Sequence, residues 1–213
     1  MLKLTKNDRV KYISHRDFVR AFELALRRAR LPLAYSEGFN PRPKMSFGLA
    51  LGVGVTSDDE KILLSLAQQE DLSVIQEKLN ANLPSDIRVT DAEEIPEGIK
   101  SPISAINASL FQITVACDAD CASELQDAII GMLKSEKISV TRIRDGRTKE
   151  SDIRPSLKEA SVKSFQDGDA TIEIVLRIGE SGGAGPQDFV QALKGLMPNL
   201  KVKSIHRTKQ FPD

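Results

Sequence analysis

The chain has 213 residues, 40% of them hydrophobic and 28% charged, which is enough apolar material to bury a core in one large domain or two small ones. Thirty Lys and Arg balance thirty Asp and Glu, which excludes a uniformly basic or uniformly acidic protein. No apolar run approaches the roughly 20 residues that cross a bilayer, and the charged start Met1–Arg9 has no apolar run behind it, so neither a membrane span nor a signal peptide is expected and the expected location is the cytoplasm.

The balance hides segregation. Met1–Gly48 carries eleven Lys and Arg against four Asp and Glu, while Leu49–Lys100 carries four against eleven. A basic block beside an acidic one suggests a local anion site. The plainer alternative is that the two blocks pair with each other.

In chain order, Leu2–Thr5 and Val10–Ser14 read as short strands around the turn chemistry of Lys6-Asn7-Asp8-Arg9. Ser14 reads as a helix N-cap, with Asp17 in the first turn where its charge suits the helix dipole. The helix should run over His15–Arg30, with Phe18, Phe22, Ala25, Leu26 and Ala29 inward and Arg16, Arg20, Arg27 and Arg30 mostly outward; Pro32 stops it. Ser36–Pro43 must be a loop, because Gly38 permits positive φ and Asn40-Pro41 favours a turn. Met45–Val55 is expected as an apolar strand, Ser57–Glu60 as an acidic turn, Ile62–Ala67 as a strand, Asp71–Asn82 as a helix and Ile87–Ile95 as a strand.

Ile95–Asn107, with two prolines and a glycine, reads as a linker. The order of elements then repeats: strand Leu110–Cys117, helix Asp120–Glu136, strand Ile138–Arg144, a basic and polar insertion Asp145–Lys158, strands Ala160–Phe165 and Thr171–Ile178 about an Asp167-Gly168 turn, helix Pro186–Leu196 and strand Leu200–His206. The expected class is α+β, with two tandem ferredoxin-like (βαββαβ) domains over residues 1–97 and 108–213 and a linker at 98–107.

Cys117 and Cys121 are too few for a disulfide framework and lack companions for zinc, so ordinary packing is expected of them. Gly48–Gly54 lacks the Lys-Ser/Thr of a phosphate loop. No metal and no cofactor is expected. The anion-site candidates are Arg16, Arg20, Arg27, Arg28, Arg42 and Lys44, since guanidinium forks match phosphate oxygens. Tyr35 and Phe39 beside them could stack on a base; the alternative puts Phe39 in the core. Arg142, Arg144, Arg147, Lys149 and Arg154 form a second basic segment. His15 could serve as a general base, but a capping or loop-anchoring histidine is the favoured reading.

The run Tyr12-Ile13-Ser14-His15-Arg16-Asp17, then Leu26-Arg27-Arg28-Ala29, then Leu31–Pro43 resembles the uncharacterised radical SAM-associated protein family. Asp152-Ile153-Arg154-Pro155 is similar to that family's shorter second motif. The resemblance implies a radical SAM enzyme as partner and an RNA-related role. This chain lacks the Cys-x3-Cys-x2-Cys cluster, so the resemblance places any radical chemistry in the partner. The tandem layout is also similar to that of CRISPR repeat-processing endoribonucleases, an analogy of fold alone. The expected function is therefore a non-catalytic RNA-binding or substrate-presenting accessory protein. The alternatives are a metal-independent endoribonuclease centred on His15 and a structural subunit whose basic helix docks on an acidic protein.

Overall fold

Leu2 and Leu4 alternate with exposed Lys3 and half-buried Thr5, and this two-residue period makes β1 (Leu2–Lys6) the central strand of the first half of the protein. The computed structural model describes residues 1–96, 98–144, 146–179 and 182–213. The chain divides into two compact units, Met1–Ile106 with Gln210–Pro212, and Asn107–Lys209 with Asp213.

In the first unit β1 is followed by α1 (His15–Ala29), β2 (Met45–Phe47), β3 (Thr56–Leu64), α2 (Leu72–Asn80) and β4 (Ile87–Ala92). These four strands lie in the order β4-β1-β3-β2, and every neighbouring pair is antiparallel. Phe18, Phe22, Ala25, Leu26 and Ala29 of α1 and Ile75 and Leu79 of α2 pack with Leu2, Leu4, Ile62, Ile87 and Val89 into one core. The α1 apolar stripe recurs every three to four residues, so burying it fixes which face of the helix meets solvent. Pro102–Ala105 forms a short 3-10 turn with Ile103 buried inside the stretch read as a linker.

Three sequence expectations change here. Val10–Ser14 is not a strand: Asp8–Val10 is a 3-10 turn that leads into the helix cap. The apolar strand expected over Met45–Val55 ends at Phe47. After it, Leu49 N–H donates to Gln210 Oε1 at 2.7 Å, and Gly54, at φ 83°, donates its N–H to the Lys11 carbonyl at 2.8 Å. Finally, the Ser57–Glu60 stretch read as a turn lies within β3, with Ser57, Asp59 and Glu60 all buried. Asp59 accepts the Gln210 N–H at 2.6 Å, which gives this buried carboxylate the charge-assisted bond it requires.

The second unit runs β5 (Ala108–Ala116), α3 (Ala119–Lys134), β6 (Ser139–Arg144), β7 (Arg147–Asp152), β8 (Leu157–Gln166), β9 (Asp169–Gly179), β10 (Gly182–Gly183), α4 (Pro186–Leu196) and β11 (Lys201–Phe211, of which Lys201–Lys209 belong to this unit). β9 has β5 on one side, while β8 and β10 pair antiparallel with it, and β11 lies beside β5. Asp167 and Gly168, both with positive φ, make the tight β8–β9 turn that the sequence indicates. The insertion contributes β7, which pairs antiparallel with β6 in a separate two-stranded ribbon, so the strand expected over Ile138–Arg144 does not join the sheet of β5 and β9; Asp145 lies outside the described residues.

The cysteines depart from the expectation of ordinary packing. Cys117 and Cys121 are joined as a disulfide, their Cα atoms 5.3 Å apart. A strand end that leads straight into a helix cap folds positions i and i+4 back onto each other, and this proximity outweighs the short separation in sequence.

Candidate nucleic-acid interface

Helix α1 begins where the sequence places it. Ser14 accepts the Asp17 N–H at 3.2 Å, and its hydroxyl donates to Asp17 Oδ2 at 2.7 Å. Arg30 closes the helix in the left-handed conformation, at φ 51°. Arg16, Arg20, Arg27 and Arg28 are all exposed. At 3.6 residues per turn, Arg16, Arg20 and Arg27 fall within an arc of about 40°, with Glu23 about 20° beyond its edge and Arg28 standing off the stripe.

The segment after Pro32 is a closed arm rather than a loose loop. Leu33 bridges to Leu66 and Tyr35 to Pro43. Ser36 N–H donates to the Arg42 carbonyl at 2.8 Å, Lys44 N–H to the Ala34 carbonyl at 2.8 Å, and Arg42 N–H to Ser36 Oγ at 3.0 Å. Gly38 turns the tip at φ 116°, a conformation that side-chain-bearing residues avoid. Pro43 is buried at the base. Phe39 projects from the tip with 105% relative exposure, and Tyr35 is 47% exposed at the base. The core alternative for Phe39 is therefore excluded by its position. Arg42 and Lys44 are exposed on the returning limb, and among the described residues no carboxylate engages either of them or Arg16, Arg20, Arg27 or Arg28. The arm thus offers one aromatic face at its tip and two cations on its returning limb, on a backbone tied at its base.

His15 is half-buried, and its ring meets the Phe47 ring edge-on at 5.7 Å. Phe18 and Phe22 approach the same Phe47 ring at 6.3 and 6.2 Å. The imidazole therefore belongs to an aromatic cluster that ties the start of α1 to β2. Tyr12, 70% exposed, lies outside that cluster, with the Lys11 ammonium 5.4 Å from its ring centre.

The second basic segment separates into different roles. Arg147 and Lys149 are exposed on β7. The side chain of Arg144 lies outside the described residues. Arg142 pairs with Asp188 at 2.7 Å and donates to the Gly183 carbonyl at 3.1 Å. Arg154, expected as an anion ligand, donates from Nε to the Ser135 carbonyl, from Nη1 to Leu157 and from Nη2 to Leu133, at 3.1, 2.9 and 2.8 Å. A guanidinium spent on three carbonyls, two of them at the end of α3, closes that helix and has little left for a phosphate. Its neighbour Asp152 accepts the N–H groups of Arg154 at 3.0 Å and Ile138 at 2.9 Å, and those bonds hold its carboxyl below the usual carboxylate range. Ile153 between them is 1% exposed. The short Asp152–Pro155 motif is thus a structural clasp.

Sequence reasoning missed a set of buried polar groups in the first unit, namely Lys6, Ser57, Asp59, Glu60 and Gln210. One signal was available: Lys6 continues the two-residue phase of Leu2 and Leu4 and so had to face inward. Its ammonium donates to the Lys11 and Ile13 carbonyls at 3.4 and 3.3 Å.

Residues 1–186 match the family described as uncharacterized protein conserved in bacteria (DUF2344). The chain belongs to that family. No curated protein matches it. Among solved structures it is similar to a crystal structure of a Cbf5-Nop10-Gar1 complex, with 10% identity and TM-score 0.49, covering 98% of this chain and 48% of that one. It is similar also to a structure of an H/ACA RNP bound to a substrate RNA containing 2'-deoxyuridine, with 11% identity and TM-score 0.46 over 97% and 47% of the two chains. A third is the crystal structure of the archaeal box H/ACA sRNP Nop10-Cbf5 complex, with 11% identity and TM-score 0.48 over 99% and 48%. The chain spans about half the length of these structures. No helix among the described residues is long and apolar enough to cross a membrane.

Proposed function

We propose that this family member is a non-catalytic RNA-binding accessory protein that presents substrate to a radical SAM enzyme. The observation that carries the RNA half of this reading is Phe39, fully exposed at the tip of a hydrogen-bond-closed arm whose returning limb carries Arg42 and Lys44. An aromatic ring held in water on a tied backbone gains by stacking on a base, and neighbouring cations supply phosphate contacts. The exposed α1 stripe of Arg16, Arg20 and Arg27 adds positive charge on the same unit. The partner half rests on the resemblance of Tyr12–Asp17, Leu26–Ala29 and Leu31–Pro43 to radical SAM-associated proteins. His15, packed on Phe47, is read as an anchor of α1 and not as a general base.

Each unit is read as ferredoxin-like. In the first, the order β4-β1-β3-β2 with a helix in each crossover is that of a split βαβ unit. In the second, β11-β5-β9-β8 repeats that order, with the β6–β7 ribbon inserted between α3 and β8.

The test is a titration of purified chain against single-stranded and hairpin RNA at several salt concentrations. Affinity should fall steeply with salt, by about 0.7–0.9 in the log–log slope per phosphate neutralised. The double variant Arg42→Ala, Lys44→Ala should keep the wild-type unfolding midpoint and lower that slope by about 1–2. Salt-independent binding, or an unchanged slope in the double variant, removes the arm from the interface.

A further inference from the structure

The end of β5 and the first turn of α3 bring together both cysteines, and the RNA reading uses neither. Cys117 follows β5, is 5% exposed, and donates its N–H to the Gly168 carbonyl at 2.8 Å. Cys121 is half-buried in the first turn of α3, where its N–H donates to Oδ1 of the cap residue Asp118 at 3.0 Å. The two are bonded through sulfur. A cavity of about 400 Å³ opens beside them, walled by both cysteines, Asp118, Glu124, Gly168 and Met197 among others.

We propose that Cys117 and Cys121 are a redox-active pair that exchanges with small thiols and disulfides of positive charge. Three observations combine. A bond across four positions constrains the unfolded chain less than a long-range bridge does, so stabilisation is a weak reason for it. The two cysteines differ in access: Cys121 is half-buried in the first turn of a 16-residue helix, whereas Cys117 is only 5% exposed, so Cys121 is the one an outside reagent reaches first. The adjoining cavity can hold a small co-reactant, and the carboxylates of Asp118 and Glu124 in its wall favour a cationic reagent over an anionic one.

In the oxidising direction the Cys121 thiolate attacks one sulfur of a small disulfide. That disulfide bond breaks, the first small thiolate leaves and takes up a proton, and a mixed disulfide remains on Cys121. The Cys117 thiol then gives up its proton and attacks the Cys121 sulfur, and the second small thiolate leaves and is protonated in turn. Two protein thiols have become one disulfide and one small disulfide has become two thiols. Excess small thiol drives the same steps backward.

The full chain, fully reduced, is mixed with cystamine or with glutathione disulfide, quenched in acid, alkylated and weighed intact. The wild type should reach the Cys117–Cys121 disulfide in both, about tenfold faster with cystamine, a charge preference that shrinks as salt rises. Cysteamine should reverse it. Cys117→Ser should accumulate one cystamine adduct at Cys121, and folded Cys121→Ser should accumulate none. Equal rates with the two reagents overturn the assigned substrate class. A wild-type pair that never closes overturns the redox assignment, and this readout stands even where Cys117→Ser does not fold. An adduct on Cys117 in folded Cys121→Ser overturns the division of roles.

Discussion

At Phe39 a large apolar side chain stands wholly in water, and nothing in its own unit covers it. Removing such a ring opens no cavity, so Phe39→Ala should leave the unfolding midpoint unchanged. If the ring stacks on a base, the same substitution should weaken RNA binding by about 5- to 150-fold, the equivalent of about 1–3 kcal/mol per stacked base. Affinity for single-stranded RNA unchanged in Phe39→Ala would take the ring out of the interface. The N–H groups of Arg154 and Ile138 depress the folded carboxyl value of Asp152 below the unfolded value of about 3.9. Its contribution to stability is therefore present above about pH 4 and is lost as pH falls through the depressed folded value. Asp152→Asn keeps an acceptor oxygen but not the charge. The stability gap between wild type and Asp152→Asn should accordingly be flat above about pH 5 and narrow as pH falls below about 4. A gap independent of pH would refute the carboxylate clasp.

Elements were legible where local chemistry and periodicity agree. α1 starts at its Ser14 cap and ends at the chain's left-handed Arg30, within one residue of the expectation, because capping and a three-to-four-residue apolar period are both local signals. α4 and the Asp167-Gly168 turn were legible for the same reason. β2 and β3 were not. The apolar run Met45–Val55 suggested a strand, and the acids of Ser57–Glu60 suggested a turn. The partners that reverse both, Lys6 and Gln210, are distant in sequence: Lys6 faces Ser57 across β1–β3, and Gln210 accepts the Leu49 N–H. The candidate site was legible in part for a related reason. Exposure of the α1 arginines and the Gly-Phe-Asn-Pro tip follows from local pattern. Whether an arginine is offered to solvent or spent on carbonyls, as with Arg154, depends on a helix end 19 to 21 residues away. Arg154→Lys retains the charge but cannot bridge three carbonyls, so it should lower stability by about 1–3 kcal/mol in urea unfolding and speed amide exchange in the last turn of α3. Wild-type stability in Arg154→Lys would mean that charge alone suffices there.

Across the whole molecule, the first unit is completed by residues from the far end of the sequence. Gln210 is 1% exposed and belongs with Met1–Ile106. Its N–H donates to Asp59 Oδ2, its side-chain amide donates to the Asp59 carbonyl, and its Oε1 accepts from Leu49 N–H. A Cβ at Gly48 would stand 2.6 Å from that oxygen, so glycine there is what lets the chain pass so close. A buried glutamine with its donor and its acceptor both engaged is costly to truncate, because its partners stay behind without it. In Gln210→Ala the Asp59 carbonyl and the Leu49 N–H lose their partners. Each unsatisfied buried group costs about 1–3 kcal/mol, and water entering the vacated space offsets part of this, so a net loss of about 2–4 kcal/mol is expected. The backbone bond from residue 210 to the Asp59 carboxylate survives the substitution, so the loss should fall on the loop after β2 more than on β3. Hydrogen exchange separates these outcomes. The Leu49 amide should lose protection in Gln210→Ala, with amides of β5 paired to β9 serving as an internal reference. An unchanged urea midpoint together with a still-protected Leu49 amide would show that Gln210 is not the latch of the first unit.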